Sequence, residues 1–198
     1  MPLNHKTTSE ERYLKKVAKG DKDAFEFLFR QYRERLFRFV WPLLKTEADV
    51  EDVIHEVFLV VWRQAASFKG SSQVSTWIFG IAYKIALRTQ QHRNRYHFVE
   101  PSDDTLDQQV IINHLSNIER RQMADWLNQG IAKLSPDQRI VIELAYYSGF
   151  SYKEIAEILD CPENTVKTRM FHARKLLKLS LPDVIGDSGK HLTEGDVI

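Results

Sequence analysis

The stretch SYKEIAEILDCPENTVKTRMFHARKLL, residues 151–177, restricts the fold more than any other part of the sequence. Ser151, followed three residues later by Glu154, forms a capping box that starts a helix, and apolar residues then recur at helical spacing. Asp160 and Pro162 end that helix and start another, because aspartate tolerates a left-handed backbone and proline presets the first helical turn. The sequence therefore predicts two helices joined by a tight turn.

The second of these helices carries two chemically different faces. Val166, Met170, Ala173 and Leu177 recur at helical spacing and are predicted to form its buried stripe. A helix of this kind directs its N-terminal half to base edges in a major groove, while its later basic residues contact phosphates. The candidate DNA contacts are Asn164, Thr165, Lys167, Thr168, Arg169, Phe171, His172, Arg174 and Lys175. Spacing, turn and charge together favour a DNA-recognising helix-turn-helix over a helical hairpin with a solvated basic face.

Helix signals also occur along the rest of the chain. Thr46 with Asp49 predicts a second capping box, and apolar residues between positions 50 and 62 follow amphipathic spacing. Ser135 and Gln138 predict a third box, with a proline at the first helical position. No alternating, β-branched run bounded by turns competes with these patterns. The sequence therefore predicts an all-α protein.

Two positions in the N-terminal half predict interruptions of helices. Gly20 comes directly before Asp21, and a glycine is typical of the end of a helix. Pro42 lacks a backbone N–H and clashes with the preceding turn, so a kink or an end is expected there.

Charged residues are segregated along the chain, although the formal net charge is only +1. Residues 46–56 are acidic, whereas residues 84–95 and 167–178 contain no acidic residue. A polyanion responds to such local fields rather than to the net charge. The near-neutral composition therefore does not exclude a nucleic-acid partner.

An acidic segment without helical period, FVEPSDDTLDQQV at residues 98–110, divides the chain. We interpret it as part of a flexible linker, residues 96–119, between an N-terminal helical domain, residues 1–95, and a C-terminal helix-turn-helix domain, residues 120–181. Residues 182–198 have little apolar content and no period, so a disordered tail is predicted. The chain is thus expected to hold two small helical domains.

Several classes of site and function find no support in the sequence. The single cysteine, Cys161, excludes an internal disulfide framework, and no apolar leader or membrane-length run occurs, so we expect a cytoplasmic protein. His92, His97 and His114 lack the close spacing of a metal site. No Gly-rich phosphate loop or nucleophile motif is found. We therefore expect no enzymatic activity, no cofactor and no metal, and a structural role for the lone thiol.

Five stretches, taken in order, carry a resemblance to a known family. They are GDKDAFEFLFRQYRERLFRFV, EDVIHEVFLVVWRQAASF, FKGSSQVSTWIFGIAYKIALRTQQHRNR, LSPDQRIVIELAYYSGFSYKEIAEIL and EIAEILDCPENTVKTRMFHARKLL. The first resembles the opening helices of the extracytoplasmic-function (ECF) sigma factors of bacterial RNA polymerase, and the second resembles their polymerase-binding helix. The third resembles their promoter-melting segment, and the last two resemble their promoter-recognising C-terminal domain. The resemblance covers about residues 10–180.

This resemblance implies a protein without catalytic chemistry that binds core RNA polymerase, carries it to a promoter and opens the duplex. In the family, the helix that matches the second stretch docks on a coiled coil of the polymerase clamp, and complementary charge would orient that docking. The implied docking residues are Glu51, Asp52, His55, Glu56 and Leu59. Without the resemblance, the polar members of this set favour an ordinary solvated helix face.

The promoter-melting resemblance implies a pocket for a flipped base and a path for single-stranded DNA. The implied minus-ten contacts are Phe68, Gln73, Trp77, Lys84, Arg88, Gln91, His92 and Arg93. Aromatic residues on a helix, Trp77 included, are also typical of a core. Where many members have arginine and asparagine in the pattern WLxRIAxN, this chain has Gly80 and Lys84, and the minus-ten base preference stays open. The C-terminal helix-turn-helix is implied to recognise the minus-thirty-five element, with Asp160 where the pattern usually has glycine.

Regulation by an anti-sigma factor, often membrane-anchored in the family, is a further implication. A stand-alone helix-turn-helix regulator is the alternative; it would bind its site without polymerase, but the N-terminal half shows no heptad or pocket signature. A helical adaptor is a third hypothesis. It leaves the acid-free stretches without a function and predicts no salt-dependent DNA binding.

Overall fold

Two groups of helices are described by the computed structural model, which covers residues 5–96 and 130–180. The first module, residues 5–96, contains α1 (His5–Val17), α2 (Lys22–Leu44), α3 (Glu47–Gln64), a short 3-10 turn (Ala65–Ser67) and α4 (Val74–Tyr96). The second module, residues 130–180, contains α5 (Pro136–Ile142), a π-helical segment (Glu143–Tyr147), α6 (Tyr152–Leu159) and α7 (Glu163–Ser180). The prediction of an all-α protein is confirmed, since no strand occurs in either module.

The first module packs around α2, which contacts α1, α3 and α4. Its largest core side chains include Tyr32, Phe39, Phe58 and Phe79, all at most 2% exposed. Aromatic rings meet at angles that favour edge-to-face contact, as between Phe29 and Phe58 with centroids 4.9 Å apart. Burial of this apolar surface stabilises the bundle and fixes the outward faces of α3 and α4.

The second module begins its helices as the sequence predicts. Ser135 and Ser151 each accept a backbone N–H three residues on, and Gln138 and Glu154 return the bond, which completes both capping boxes. Asp160 adopts the predicted left-handed conformation, with φ 51° and ψ 50°. This turn brings α7 against α5 and α6.

One expectation for the first module, the capping box at Thr46, is wrong in detail. Thr46 is the N-cap of α3, but its hydroxyl makes no capping bond to the backbone and donates instead to the carboxylate of Asp49. That carboxylate also pairs with Arg93 of α4, whose Nη1 lies 2.9 Å from Oδ2 of Asp49. This pair holds the carboxylate to the side of the helix start.

Pro42 lies inside the last turn of α2, which ends two residues later at Leu44. Leu43 and Leu44 are buried, and their carbonyl oxygens accept bonds from Gln90 at 2.9 Å and Arg93 at 2.5 Å. Tertiary contacts therefore hold the residues after the proline in the helix, and Lys45 ends it with φ 60°. The predicted break at Gly20 is present, where φ is +84° and Asp21 caps α2.

The two modules contact each other. Helix α4 packs against α6, and buried side chains of both modules belong to one hydrophobic cluster. The linker at residues 96–119, the tail at residues 182–198, and His97 and His114 lie outside the described residues, apart from Tyr96 at the end of α4.

Candidate functional site

The outward face of α3 carries all five residues expected to dock on polymerase. Glu51 pairs with Arg33 of α2, and Glu56 pairs with Arg88 of α4. Asp52 is exposed and makes no ion pair within residues 5–96 and 130–180. Two of the three carboxylates are therefore partly neutralised by neighbouring helices.

An apolar strip runs beside these carboxylates. Leu59 is 54% exposed, and the indole of Trp62 is partly exposed while it meets the ring of Phe25 edge-on, with centroids 5.2 Å apart. The exposed imidazole of His55 lies parallel to the ring of Phe29, with centroids 6.3 Å apart. Apolar residues flanked by charged ones are typical of the centre and rim of a protein interface.

Helix α4 presents a second face that is polar and basic. Lys84, Arg88 and Gln91 are exposed at helical spacing, and Trp77 lies one heptad before Lys84. His92 is also exposed, beside Gln91. These residues form one continuous stripe along about two-thirds of the helix.

The N-terminal end of this stripe contains a pair of aromatic rings. Phe68 and Trp77 lie with ring centroids 5.3 Å apart at 52°, and both are half-buried. The loop between them turns at Gly70, where φ is +68°, and Gln73 is exposed at its end. The structure thus brings three of the expected minus-ten residues to one end of α4.

Arg93 occupies a different environment from the other expected minus-ten residues. Its guanidinium binds the carbonyl oxygen of Leu44 and the carboxylate of Asp49, and it is only 27% exposed. These bonds tie α4 to the corner between α2 and α3. The arginine therefore has a structural task that its sequence position did not reveal.

Helix α7 separates its two faces as predicted. Val166, Met170 and Ala173 are fully buried, and Leu177 is half-buried. Thr165 is half-buried at the edge of the apolar stripe. The exposed residues are Asn164, Lys167, Thr168, Phe171, His172, Arg174 and Lys175.

The exposed face of α7 combines aromatic and basic groups. Phe171 is 64% exposed and lies beside the ring of His172, with centroids 5.5 Å apart. Lys167 pairs with Glu163, with Nζ 2.9 Å from the carboxylate oxygen. Arg174 donates to the hydroxyl of Tyr146 at 3.0 Å. These contacts fix the direction of side chains that remain open to solvent.

Arg169 is the exception on α7. Its guanidinium lies 2.5 Å from the carboxylate of Asp137 at the start of α5, and its side chain is 26% exposed. It therefore lies at the edge of the helix that faces α5 rather than on the open face. No local sequence signal points to this pair, because its members are 32 residues apart.

The thiol of Cys161 lies half-buried in the turn between α6 and α7. Burial is the main cause that raises the pKa of Cys161, and Asp137 and Asp160 act in the same direction against Arg169. A raised pKa disfavours the reactive thiolate, in agreement with the structural role predicted for this residue.

Within residues 5–96 and 130–180, neither a membrane-spanning helix nor a metal-ligand cluster occurs. No helix there is long and apolar enough to cross a membrane. No cluster of three or more potential metal ligands occurs in that part of the chain.

Comparison with known protein families gives two matches in chain order. The family described as Sigma-70 region 2 matches residues 28–96, which include α3 and α4. The family described as Sigma-70, region 4 matches residues 124–177, which include the helix-turn-helix.

Individual proteins with similar sequences or structures cover most of the chain. It is 33% identical over 172 residues to the ECF RNA polymerase sigma-E factor of Escherichia coli (strain K12), covering 83% of this chain and 90% of that protein. It is 25% identical over 190 residues to the RNA polymerase sigma-H factor of Pseudomonas aeruginosa, covering 90% and 97%. A solved structure of the sigma factor RpoE in complex with the anti-sigma factor NepR from Bartonella quintana superposes with a TM-score of 0.62 at 25% identity, over 81% and 97% of the two chains.

Proposed function

Because the chain belongs to the ECF sigma factors of RNA polymerase, we propose that its two helical modules divide polymerase docking and promoter recognition between them. As a member of this family it is an alternative sigma factor that binds core RNA polymerase and directs promoter-specific transcription initiation.

Polymerase docking is assigned to the outward face of α3. Asp52, His55 and Leu59 support this assignment, since they place a charge, a polar ring and an apolar side chain on one exposed surface. Glu51 and Glu56 would contribute charge at the rim while they keep their arginine partners. A basic surface on the polymerase would be drawn to this face.

Minus-ten recognition is assigned to the stripe on α4 and the aromatic pair at its start. Phe68 and Trp77 offer ring faces near the loop that ends at Gln73, and Lys84 and Arg88 extend the path with positive charge. Gln91 and His92 continue that path toward the end of the helix. Stacking surfaces beside cations suit a flipped base followed by a single strand.

Minus-thirty-five recognition is assigned to α7, and the observation that carries it is the open face from Asn164 to Lys175. Seven of the nine expected residues are exposed on that face, whereas the opposite stripe is buried. Arg169 is assigned to positioning, because its bond to Asp137 orients α7 relative to α5. Thr165 lies at the edge of the contact surface.

We assign polymerase docking and melting to residues 1–95, the linker to residues 96–119, promoter recognition to residues 120–181 and a tail to residues 182–198. The similar RpoE structure, solved with an anti-sigma factor, supports regulation of this chain by a partner of that kind. We expect action in the cytoplasm, without catalytic chemistry of its own.

Run-off transcription tests the function directly. Purified core RNA polymerase, with and without the protein, is incubated with sheared DNA from its own source, and transcript starts are mapped by sequencing. We expect new starts that share two spaced upstream elements and appear only with the protein. Tight site-specific binding by the protein alone, with no new starts, would indicate a stand-alone regulator instead.

The docking assignment is tested by Asp52→Ala, with Glu34→Ala as the matched control. Both residues are exposed acids on the first module, but Glu34 lies on α2 and pairs with Arg38. Asp52→Ala should weaken pull-down of core enzyme by roughly three- to tenfold, as expected for loss of one interface charge. An equal effect of both variants would contradict docking through α3.

A further inference from the structure

An exposed tyrosine of the second module lies beside the proposed DNA-binding face of α7. Tyr146 belongs to the π-helical segment, in which the backbone N–H of Ser148 binds the carbonyl oxygen of Glu143 at 3.0 Å. It follows the fully buried Leu144 by two positions, which directs its ring to the opposite side of the segment. The ring is 61% exposed, so packing within the module does not explain why a large aromatic side chain occupies this position.

Arg174 of α7 is the partner of this tyrosine. Its Nε donates to the hydroxyl of Tyr146 at 3.0 Å, and its guanidinium carbon lies 5.8 Å from the ring centroid. Both residues are exposed, and no carboxylate pairs with Arg174 within residues 5–96 and 130–180. The bond to Tyr146 holds the guanidinium by one edge, so its two terminal nitrogens stay open to solvent.

The two side chains present donors that suit a phosphate group. An arginine binds a phosphate through two parallel N–H bonds, and the terminal nitrogens of Arg174 can supply them. A tyrosine hydroxyl that accepts one hydrogen bond still has its own O–H to donate. Because the hydroxyl lies only 3.0 Å from Nε of Arg174, all these donors are close enough to meet at one phosphate.

The position of Arg174 along α7 fits a contact with the DNA backbone. Asn164 and Arg174 are ten positions apart, which corresponds to about 15 Å along the helix axis at about 1.5 Å per residue. A major groove is only about 12 Å wide. When the N-terminal half of α7 lies in the groove, Arg174 therefore lies over the sugar–phosphate backbone that borders it.

From these observations we propose that Tyr146 and Arg174 form a phosphate-binding pair, in which Tyr146 positions the guanidinium and both side chains bind one phosphate of the duplex. The pair extends the contact surface of α7 onto the π-helical segment. No spacing pattern within α7 points to Tyr146, because 28 positions separate it from Arg174. This inference rests on the proposed function, since it takes α7 as the duplex-binding helix.

Fluorescence anisotropy titrations of the full chain with a short labelled duplex of mixed sequence test the phosphate-binding pair. A phosphate contact does not depend on base sequence, so neither a promoter nor polymerase is needed. Tyr146→Phe keeps the ring and removes only the hydroxyl. At low salt it should weaken binding roughly three- to tenfold, as expected for loss of one hydrogen bond.

Tyr147→Phe is the matched control. Tyr147 is the adjacent exposed tyrosine of the same segment, and it lies near Glu143 and Arg38 rather than Arg174. Its loss of a hydroxyl should change duplex binding less than about twofold, as is usual for a surface substitution outside an interface. Thermal unfolding checks that every variant is folded.

Arg174→Ala tests whether the two residues act together. The slope of the logarithm of the binding constant against the logarithm of salt concentration should fall in magnitude by about 0.9, as expected for loss of one phosphate contact. In this background Tyr146→Phe should weaken binding less than about twofold, because the partner that it positions is already absent.

Three results would overturn the phosphate-binding pair. They are equal binding by Tyr146→Phe and Tyr147→Phe, an effect of Tyr146→Phe that is the same with and without Arg174, and an unchanged salt dependence of Arg174→Ala. A parent that does not bind the duplex at low salt would overturn it as well. Absence of new starts in run-off transcription would instead overturn the proposed function, and the same titrations would still decide the phosphate-binding pair.

Discussion

Helices α4 and α7 both expose basic residues on the faces that we propose contact DNA, but they hold these residues in different ways. On α4, Arg88 pairs with Glu56, and Arg93 is bound to Asp49 and a carbonyl oxygen. On α7, Lys167 pairs with Glu163 and Arg174 donates to the hydroxyl of Tyr146. These side chains and that of Lys175 stay exposed on one face. If the two faces contact DNA as proposed, α7 can meet a duplex as it stands, whereas Arg88 of α4 must leave Glu56 before it binds a strand.

The functional prediction with the largest effect concerns the open face of α7. Lys167→Ala combined with Lys175→Ala should reduce run-off transcription roughly ten- to a hundredfold, because each lysine is expected to contact the duplex. Pull-down of core enzyme should be unchanged. Lys153→Ala, an exposed lysine on α6, is the control and should alter transcription less than about twofold.

Run-off transcription also distinguishes α4 from α7. Arg88→Ala should reduce transcription less than the α7 double variant, since its guanidinium must leave Glu56 before it binds a strand. A loss as large as that of the α7 variant would contradict the proposal that the pairing of Arg88 with Glu56 limits its contribution to DNA binding.

A buried carboxyl of the second module gives a pH-dependent effect on stability. Burial raises the pKa of Glu143 from 4.5 to about 7, against the opposing charges of Arg38 and Arg35. The folded state therefore prefers the protonated form, so stability falls as pH rises from about 4.5 to 7 and stays lowered above that. Glu143→Gln should remove this fall and stabilise the protein at pH 8 by up to about 3 kcal/mol.

Urea unfolding at several pH values measures this effect as the difference between parent and variant. The difference should vanish near pH 4, where the parent carboxyl is protonated in both states. A difference that does not change with pH would show that folding leaves the pKa of Glu143 unchanged.

Arg93→Ala tests the structural task assigned to one arginine of α4. Its loss leaves the carbonyl oxygen of Leu44 and the carboxylate of Asp49 without this donor, so unfolding free energy should fall by about 2 kcal/mol. Arg95→Ala, an exposed arginine on the same helix, should change stability by less than about 0.5 kcal/mol. Thermal and urea unfolding of the two variants would separate these outcomes, and equal stabilities would remove the structural role.

Gly80 gives the smallest expected effect. A methyl group built at this position in α4 would meet no atom within 4 Å, so packing does not require glycine. Gly80→Ala should stabilise the protein by about 0.5–1 kcal/mol through helix propensity. A melting temperature that falls would reveal a contact of Gly80 that packing alone does not show.

Local signals allowed much of this structure to be predicted. The capping boxes at Ser135 and Ser151, the left-handed Asp160 and the buried stripe of α7 each depend on residues within about two turns of helix. Such features are decided by backbone geometry and side-chain period, which a single sequence displays.

Features that depend on distant partners could not be predicted in the same way. Arg93 bonds across 49 positions to Leu44, and Arg169 bonds across 32 positions to Asp137. The continuation of α2 beyond Pro42 likewise depends on Gln90, far along the chain. No pattern in a single sequence pairs such residues, so their roles emerged only from the fold.

Cys161 allows the accessibility of the turn between α6 and α7 to be followed by chemical modification. A maleimide added to the native chain has one thiol to modify, and that thiol is half-buried with a raised pKa. At a fixed pH, its modification rate therefore reports how accessible the sulfur is in the bend between α6 and α7. Compared between the free protein and its complexes, that rate shows whether a partner protects the turn, without any engineered label.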